Sequence, residues 1–114
     1  MSDLPKRVLI AEEGPREGFQ SEKKVIPVAD KVRLIEALAD TGLRHINCVS
    51  YVNPRRVPTM ADADEVASKI RQKPGIEYSA LWLNQQGLER ALRGPLHVDG
   101  GVRVTASDLS LIHI

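Results

Sequence analysis

A chain of 114 residues with a formal net charge of +1 is sized for one small domain or part of a larger one. Its apolar fraction of 42% excludes a disordered chain. The near-neutral charge gives no electrostatic drive toward nucleic acid or an anionic membrane, and the single cysteine, Cys48, excludes an internal disulfide framework and suits a reducing, cytoplasmic setting.

The amino-terminal stretch "MSDLPKRVLIAEEG" lacks a signal-peptide apolar region, and no segment approaches the roughly 20 apolar residues of a membrane span. "RVLIA" (7–11) is a short continuous apolar run, the pattern of a strand buried on both faces. "EEGPREGFQSEKKVIP" (12–27) breaks it with glycines and a proline and is expected to be a tight turn and loop. Residues 27–42 then repeat at helical spacing. Val28, Val32, Ile35 and Ala39 form a stripe with Leu34 and Leu38 beside it, Pro27 at the entry and Gly42 at the exit. "RHINCVSYV" (44–52) is β-branched and strand-like.

"NPRRVPTMADADEVASKIRQKPG" (53–75) begins as a proline-broken loop. Thr59 is the expected N-cap of a second helix. Asp62, Asp64 and Glu65 crowd its first turns and Lys69, Arg71 and Lys73 its last, an order that complements the helix dipole. "IEYSALWLN" (76–84) reads as a third strand, "QQGLERALRG" (85–94) as a third helix, and "LHVDGGVRVTA" (96–106) as a fourth strand. Strands and helices alternating at this spacing predict an α/β fold with a parallel sheet. Neither a G-x-G-x-x-G fingerprint nor a phosphate-binding P-loop is present. In a parallel barrel, chemistry sits on the loops that follow strands. "GPREGFQ" and "SYVNPRRVP" both occupy such positions.

Three blocks in this order resemble the hydroxymethylglutaryl-CoA lyase family: "GPREGFQSEK", "LIEALADTGLRHI" and "SYVNPRRVPTMADADEV". The resemblance covers roughly residues 6–109. Members of the family are full (β/α)₈ TIM barrels, a fold of about 250 residues. It therefore implies the N-terminal part of such a barrel, about four βα units, over residues 1–109, with 110–114 as a tail. It also implies an aldol-type carbon–carbon cleavage of a 3-hydroxy-3-methylglutaryl thioester, or a related 3-hydroxy-acyl-CoA, to acetyl-CoA and acetoacetate or a related keto acid. The cofactor implied is a divalent metal, Mg²⁺ or Mn²⁺. The partners implied are an acyl-CoA substrate and, for the full-length form, a second copy of the chain.

By the same resemblance, Arg16 matches the arginine that faces the thioester carbonyl, and a guanidinium offers a planar fork of donors. Glu17 matches a metal-ligating aspartate, and hard cations prefer carboxylate oxygens. Gln20 and Ser50 match positions beside the substrate. Asn47 takes the catalytic position on the second strand where the family usually carries an acidic residue. An amide cannot act as a base, which points to a related acyl-CoA. The family's H-x-H ligand pair and reactive cysteine have no counterpart here. His45, His97 and His113 are scattered without metal-ligand spacing.

Read without the family, Cys48 is a buried small apolar group and Trp82 a packing residue. Arg55-Arg56 is a solvated loop, and the three acids are helix-terminus charges. Two alternatives stay open at this point: a Claisen-type synthase on the same barrel, and a non-catalytic half-barrel that binds a partner chain.

Overall fold

The structure, a computed structural model, describes residues 3–98. Its elements are β1 (Ala11–Glu12), α1 (Gly14–Ser21), α2 (Val28–Ala39), β2 (His45–Tyr51), α3 (Ala63–Lys69), β3 (Glu77–Trp82), α4 (Gln85–Arg93) and β4 (His97–Val98). The strands form one sheet in the order β1-β2-β3-β4, and every pairing is parallel. This is the expected α/β architecture. The boundary expected at 109 and 110, most of the 96–106 strand and His113 lie outside the described residues.

The first strand is shorter than expected. Only Ala11 and Glu12 pair, opposite His45 and Ile46, while Val8, Leu9 and Ile10 are 64–75% exposed. The apolar run is built for burial on both faces, but β1 is an edge of the sheet among the described residues. Among the described residues the run is therefore left largely uncovered.

The expected turn at 14–21 is instead a helix, α1. Pro15 sits in its first turn, where the missing N–H leaves no bond unmade and the fixed φ suits the helix. Gly18 lowers the helix propensity and hides the element from a local reading. Packing against β2 overrides that weakness.

The core lies between the sheet and α2, α3 and α4. Ile35 and Ala39 of α2, Ile46, Val49 and Tyr51 of β2, Val66 and Ala67 of α3, Tyr78 and Ala80 of β3 and Ala91 of α4 form it. Burying a side chain such as Ile35 is worth about 1.5–3 kcal/mol. Leu34, expected beside the stripe, is 40% exposed.

α3 begins later than expected. Residues 58–60 make a single 3₁₀ turn, and Asp62, not Thr59, holds the N-cap position. The Thr59 hydroxyl is used elsewhere, donating to the carbonyl of Gln20 at 3.2 Å. At the other end the helix stops at Lys69. Arg71 and Lys73 leave it for contacts with Glu36 and with Asp40 and Tyr78. α4 matches its expected span, with the Asn84 side chain accepting from the Gly87 N–H at 2.8 Å, an N-cap bond.

Candidate active site

Arg16 and Gln20 stand four residues apart on α1, so they share one face of the helix. The Arg16 Nε donates to Asn47 Oδ1 at 2.9 Å. Gln20 Oε1 accepts from the Ser50 hydroxyl at 3.1 Å. Two residues of one helix thus clasp two residues of one strand. Strand periodicity alone forbids this, because residues 47 and 50 of a regular strand point to opposite faces.

A bulge resolves it. Asn47 pairs with Ser79 and Val49 with Ala80, so two steps of β2 oppose one step of β3. Cys48 is the extra residue. Beyond it the alternation is inverted. Asn47 and Ser50 come to the α1 side, while Ile46, Val49 and Tyr51 enter the core. Asn47 is fixed further by its amide, which donates to Ser79 Oγ at 3.0 Å. Ser79 is a site-lining residue absent from the sequence reading. Only its register opposite Asn47 reveals it.

The guanidinium of Arg16 is held on three sides. Besides Asn47 at Nε, one terminal nitrogen lies 3.0 Å from Glu13 Oε2 and the other 2.7 Å from Glu17 Oε2. The Arg16 side chain is 11% exposed, while those of Glu13 and Glu17 are 61% and 64% exposed. The sequence reading did not single out Glu13. Its signal is the i, i+3 spacing to Arg16, visible only once 14–21 is known to be helical.

The five residues expected at the site fall into two groups. Arg16, Asn47, Gln20 and Ser50 are brought together as two bonded pairs. Glu17 is beside them but bonded to Arg16. Among the described residues no three His, Cys, Asp or Glu side chains form a group that could hold a metal ion. Mg²⁺ and Mn²⁺ call for about six oxygens, so the described residues do not by themselves fit the implied cation.

Two of the histidines described as scattered do converge in space. His45 Nε2 lies 2.6 Å from Glu77 Oε2 and His97 Nε2 lies 3.1 Å from Glu77 Oε1. The register of β2, β3 and β4 brings them there. They line an open cleft with Arg44, Gln72 and Leu96 at the N-terminal ends of the strands, and Arg16 is not part of that lining. Cys48 is 1% exposed, and burial pushes its thiol up to about 12, with a backbone hydrogen bond at Ser79 pulling slightly the other way. It is an inert core group, as expected. The acids at 62–65 are all engaged by cations: Asp62 by Lys31, Asp64 by Arg90 and Glu65 by Lys69. Arg55 and Arg56 are exposed, and Trp82 is half-buried on β3. No described helix is long and apolar enough to cross a membrane.

No protein-family model matches the chain. Individual relatives do. It is 50% identical over 90 residues to a 3-hydroxy-3-isohexenylglutaryl-CoA/hydroxy-methylglutaryl-CoA lyase of Pseudomonas aeruginosa, covering 79% of this chain and 30% of that protein. It is 46% identical over 92 residues to the mitochondrial hydroxymethylglutaryl-CoA lyase of Rattus norvegicus, covering 81% and 28%. The crystal structure of the hydroxymethylglutaryl-CoA lyase from Pseudomonas aeruginosa superposes with a TM-score of 0.75 at 49% identity, over 81% of this chain and 31% of that one. An Acinetobacter baumannii HMG-CoA lyase in complex with coenzyme A and 3-methylmalate does so with a TM-score of 0.75 at 31% identity, over 82% and 30%. The chain thus spans a little under a third of the length of the relatives it matches. In sequence and in fold, it is related to the hydroxymethylglutaryl-CoA lyases and corresponds to the N-terminal part of their TIM barrel.

Proposed function

We propose that this chain supplies the N-terminal βα units of a carbon–carbon lyase acting on 3-hydroxy-3-methylglutaryl-CoA or a longer-branched 3-hydroxy-acyl-CoA. The products are acetyl-CoA and a keto acid. The observation that carries the reading is the Arg16 guanidinium, fixed by Asn47, Glu13 and Glu17 on a helix that directly follows a strand. Those contacts use part of its five N–H donors. The remaining donors on the two terminal nitrogens are available to a thioester oxygen. As the bond beside the tertiary alcohol breaks, negative charge builds on that oxygen. A donor already in place there lowers the barrier without reorganising.

Asn47 has no basic atom and does not take the hydroxyl proton. Its part is to hold Arg16, and Ser79 holds Asn47 in turn. Gln20 and Ser50 form the substrate-side wall one helical turn further on. Glu17 is assigned here as a partner of Arg16. The divalent cation implied by the resemblance has no centre among the described residues, and no step of this reading runs through one. The chain spans under a third of its relatives' length, and by itself it is expected to be inactive. The dual name of the Pseudomonas relative, which covers an isohexenyl-branched thioester as well as the methyl one, supports the wider substrate class suggested by the neutral Asn47. A cytoplasmic location and a homo-oligomeric full-length form belong to the same proposal.

The test is a graft. The 90 matching residues of this chain replace their counterparts in the Pseudomonas aeruginosa relative, and acetyl-CoA release is followed with methyl-branched and longer-branched thioesters. Turnover of at least one class is expected. A graft that folds like its parent and turns over neither class, while the parent does, refutes the reading.

A further inference from the structure

Lys31 lies in the apolar stripe of α2, one turn before Ile35. Its side chain is 1% exposed. Helical periodicity asks for an apolar residue at that place. A buried ammonium costs several kcal/mol in lost hydration unless its partners are well placed, and an apolar side chain of similar size would fill the space at less cost. What the ammonium adds is direction.

Every partner of Lys31 comes from another element. Its Nζ donates to the Thr59 carbonyl at 2.5 Å and to both Asp62 oxygens at 2.8 and 3.0 Å. It also lies 5.6 Å from the centre of the Phe19 ring, within cation–π range. Thr59 hands the connection on, since its hydroxyl donates to the Gln20 carbonyl, and the Gln20 side chain accepts from Ser50. One continuous chain of contacts runs from α2 through the loop after β2 to α1 and back to β2. A second observation agrees. Asp62 stands at the N-cap of α3 but makes no cap bond, although such a bond is typically worth about 1 kcal/mol. Its carboxylate is diverted to Lys31.

We propose that Lys31 is a positioning residue for the acyl-CoA site. It fastens the loop after β2 against α1 and so sets the pose from which Arg16 reaches Asn47 and Gln20 reaches Ser50. Its meaning for catalysis rests on the lyase reading, but the geometry it sets does not.

The test uses the full 114-residue chain, labelled with ¹⁵N and held at a concentration where it is monomeric. Two signals report the pose: the Arg16 Nε–H resonance, displaced and protected by its bond to Asn47, and the amide exchange of residues 14–21. In Lys31→Met the Arg16 signal is expected to move to its solvent-exposed position. The α1 amides should exchange about tenfold faster or more, while those of β2 and β3 stay as in the parent. Asp62→Asn is expected to do the same to a smaller extent, and it decides the matter if Lys31→Met does not fold. Uniform acceleration across all elements, or an unmoved Arg16 signal in a folded variant, overturns the proposal. No substrate enters this readout. A graft without turnover would therefore sink the lyase reading and leave this result standing.

Discussion

Tyr51 ends β2 with its ring fully buried, 1% exposed, and its hydroxyl has no hydrogen-bond partner among the described residues. Burial raises its pKa, the Asp64 charge adds to this, and the nearby Arg90 opposes it. The guanidinium of Arg90 lies 5.2 Å from the ring centre, a contact that a phenyl ring keeps. Tyr51→Phe therefore removes little besides an unsatisfied oxygen, whose burial costs about 1–3 kcal/mol. A gain of about 1 kcal/mol is expected. Gly94 sharpens the test. A Cβ there would come within 2.7 Å of the Tyr51 hydroxyl oxygen, while the backbone φ of −91° is ordinary for alanine. Gly94→Ala alone should pay an overpacking cost of about 1–3 kcal/mol, set against about 0.4–1 kcal/mol from a less flexible unfolded chain. In the Tyr51→Phe background the colliding oxygen is gone and only the gain remains. The two changes should thus couple by about 1–3 kcal/mol. The assay is a urea titration of the four proteins, followed by Trp82 fluorescence. If Gly94→Ala has the same effect in both backgrounds, the packing argument fails.

Gly87→Ala should cost about 2 kcal/mol or more despite alanine's better helix propensity, because its Cβ would sit 2.3 Å from the Tyr51 backbone oxygen. The same titration measures it. Stability should fall as pH rises from about 9 to about 12. Over that window the unfolded Cys48 loses its proton and the folded one, with its pKa raised from 9.0 to about 12, keeps it. Cys48→Ala should flatten that slope in urea titrations across the range. In the active graft, Arg16→Lys should lower turnover by about 10²–10³, since a point charge lacks the fork. Near-full turnover would leave Arg16 a structural residue that holds α1 to β2, with no part in the chemical step. Calorimetry of the 114-residue chain with Mn²⁺ should show no tight one-to-one site, because the described residues offer no cluster of ligands.

Local chemistry wrote much of this fold into the sequence. The apolar stripe of α2, the β-branched run of β2, Gly94 at the end of α4, and the alternation that makes the sheet parallel all act within a few residues of each other. They are legible for that reason. So were the three blocks that mark the lyase family, and with them Arg16, Asn47, Gln20 and Ser50 as candidate positions. The remainder depends on partners far along the chain. α1 carries two glycines and a proline and is a helix because β2 packs against it. Lys31 is a charge set in the apolar stripe of α2, and only Thr59, Asp62 and Phe19 closing around it account for its burial. Thr59 has a capping side chain but spends it on Gln20. The decisive case is Cys48. Nothing in "INCVS" announces a bulge, since each residue suits a regular strand. Only pairing with β3 makes Cys48 the extra residue. That single step of register turns Asn47 and Ser50 to one side, where a helix with residues four apart can hold both.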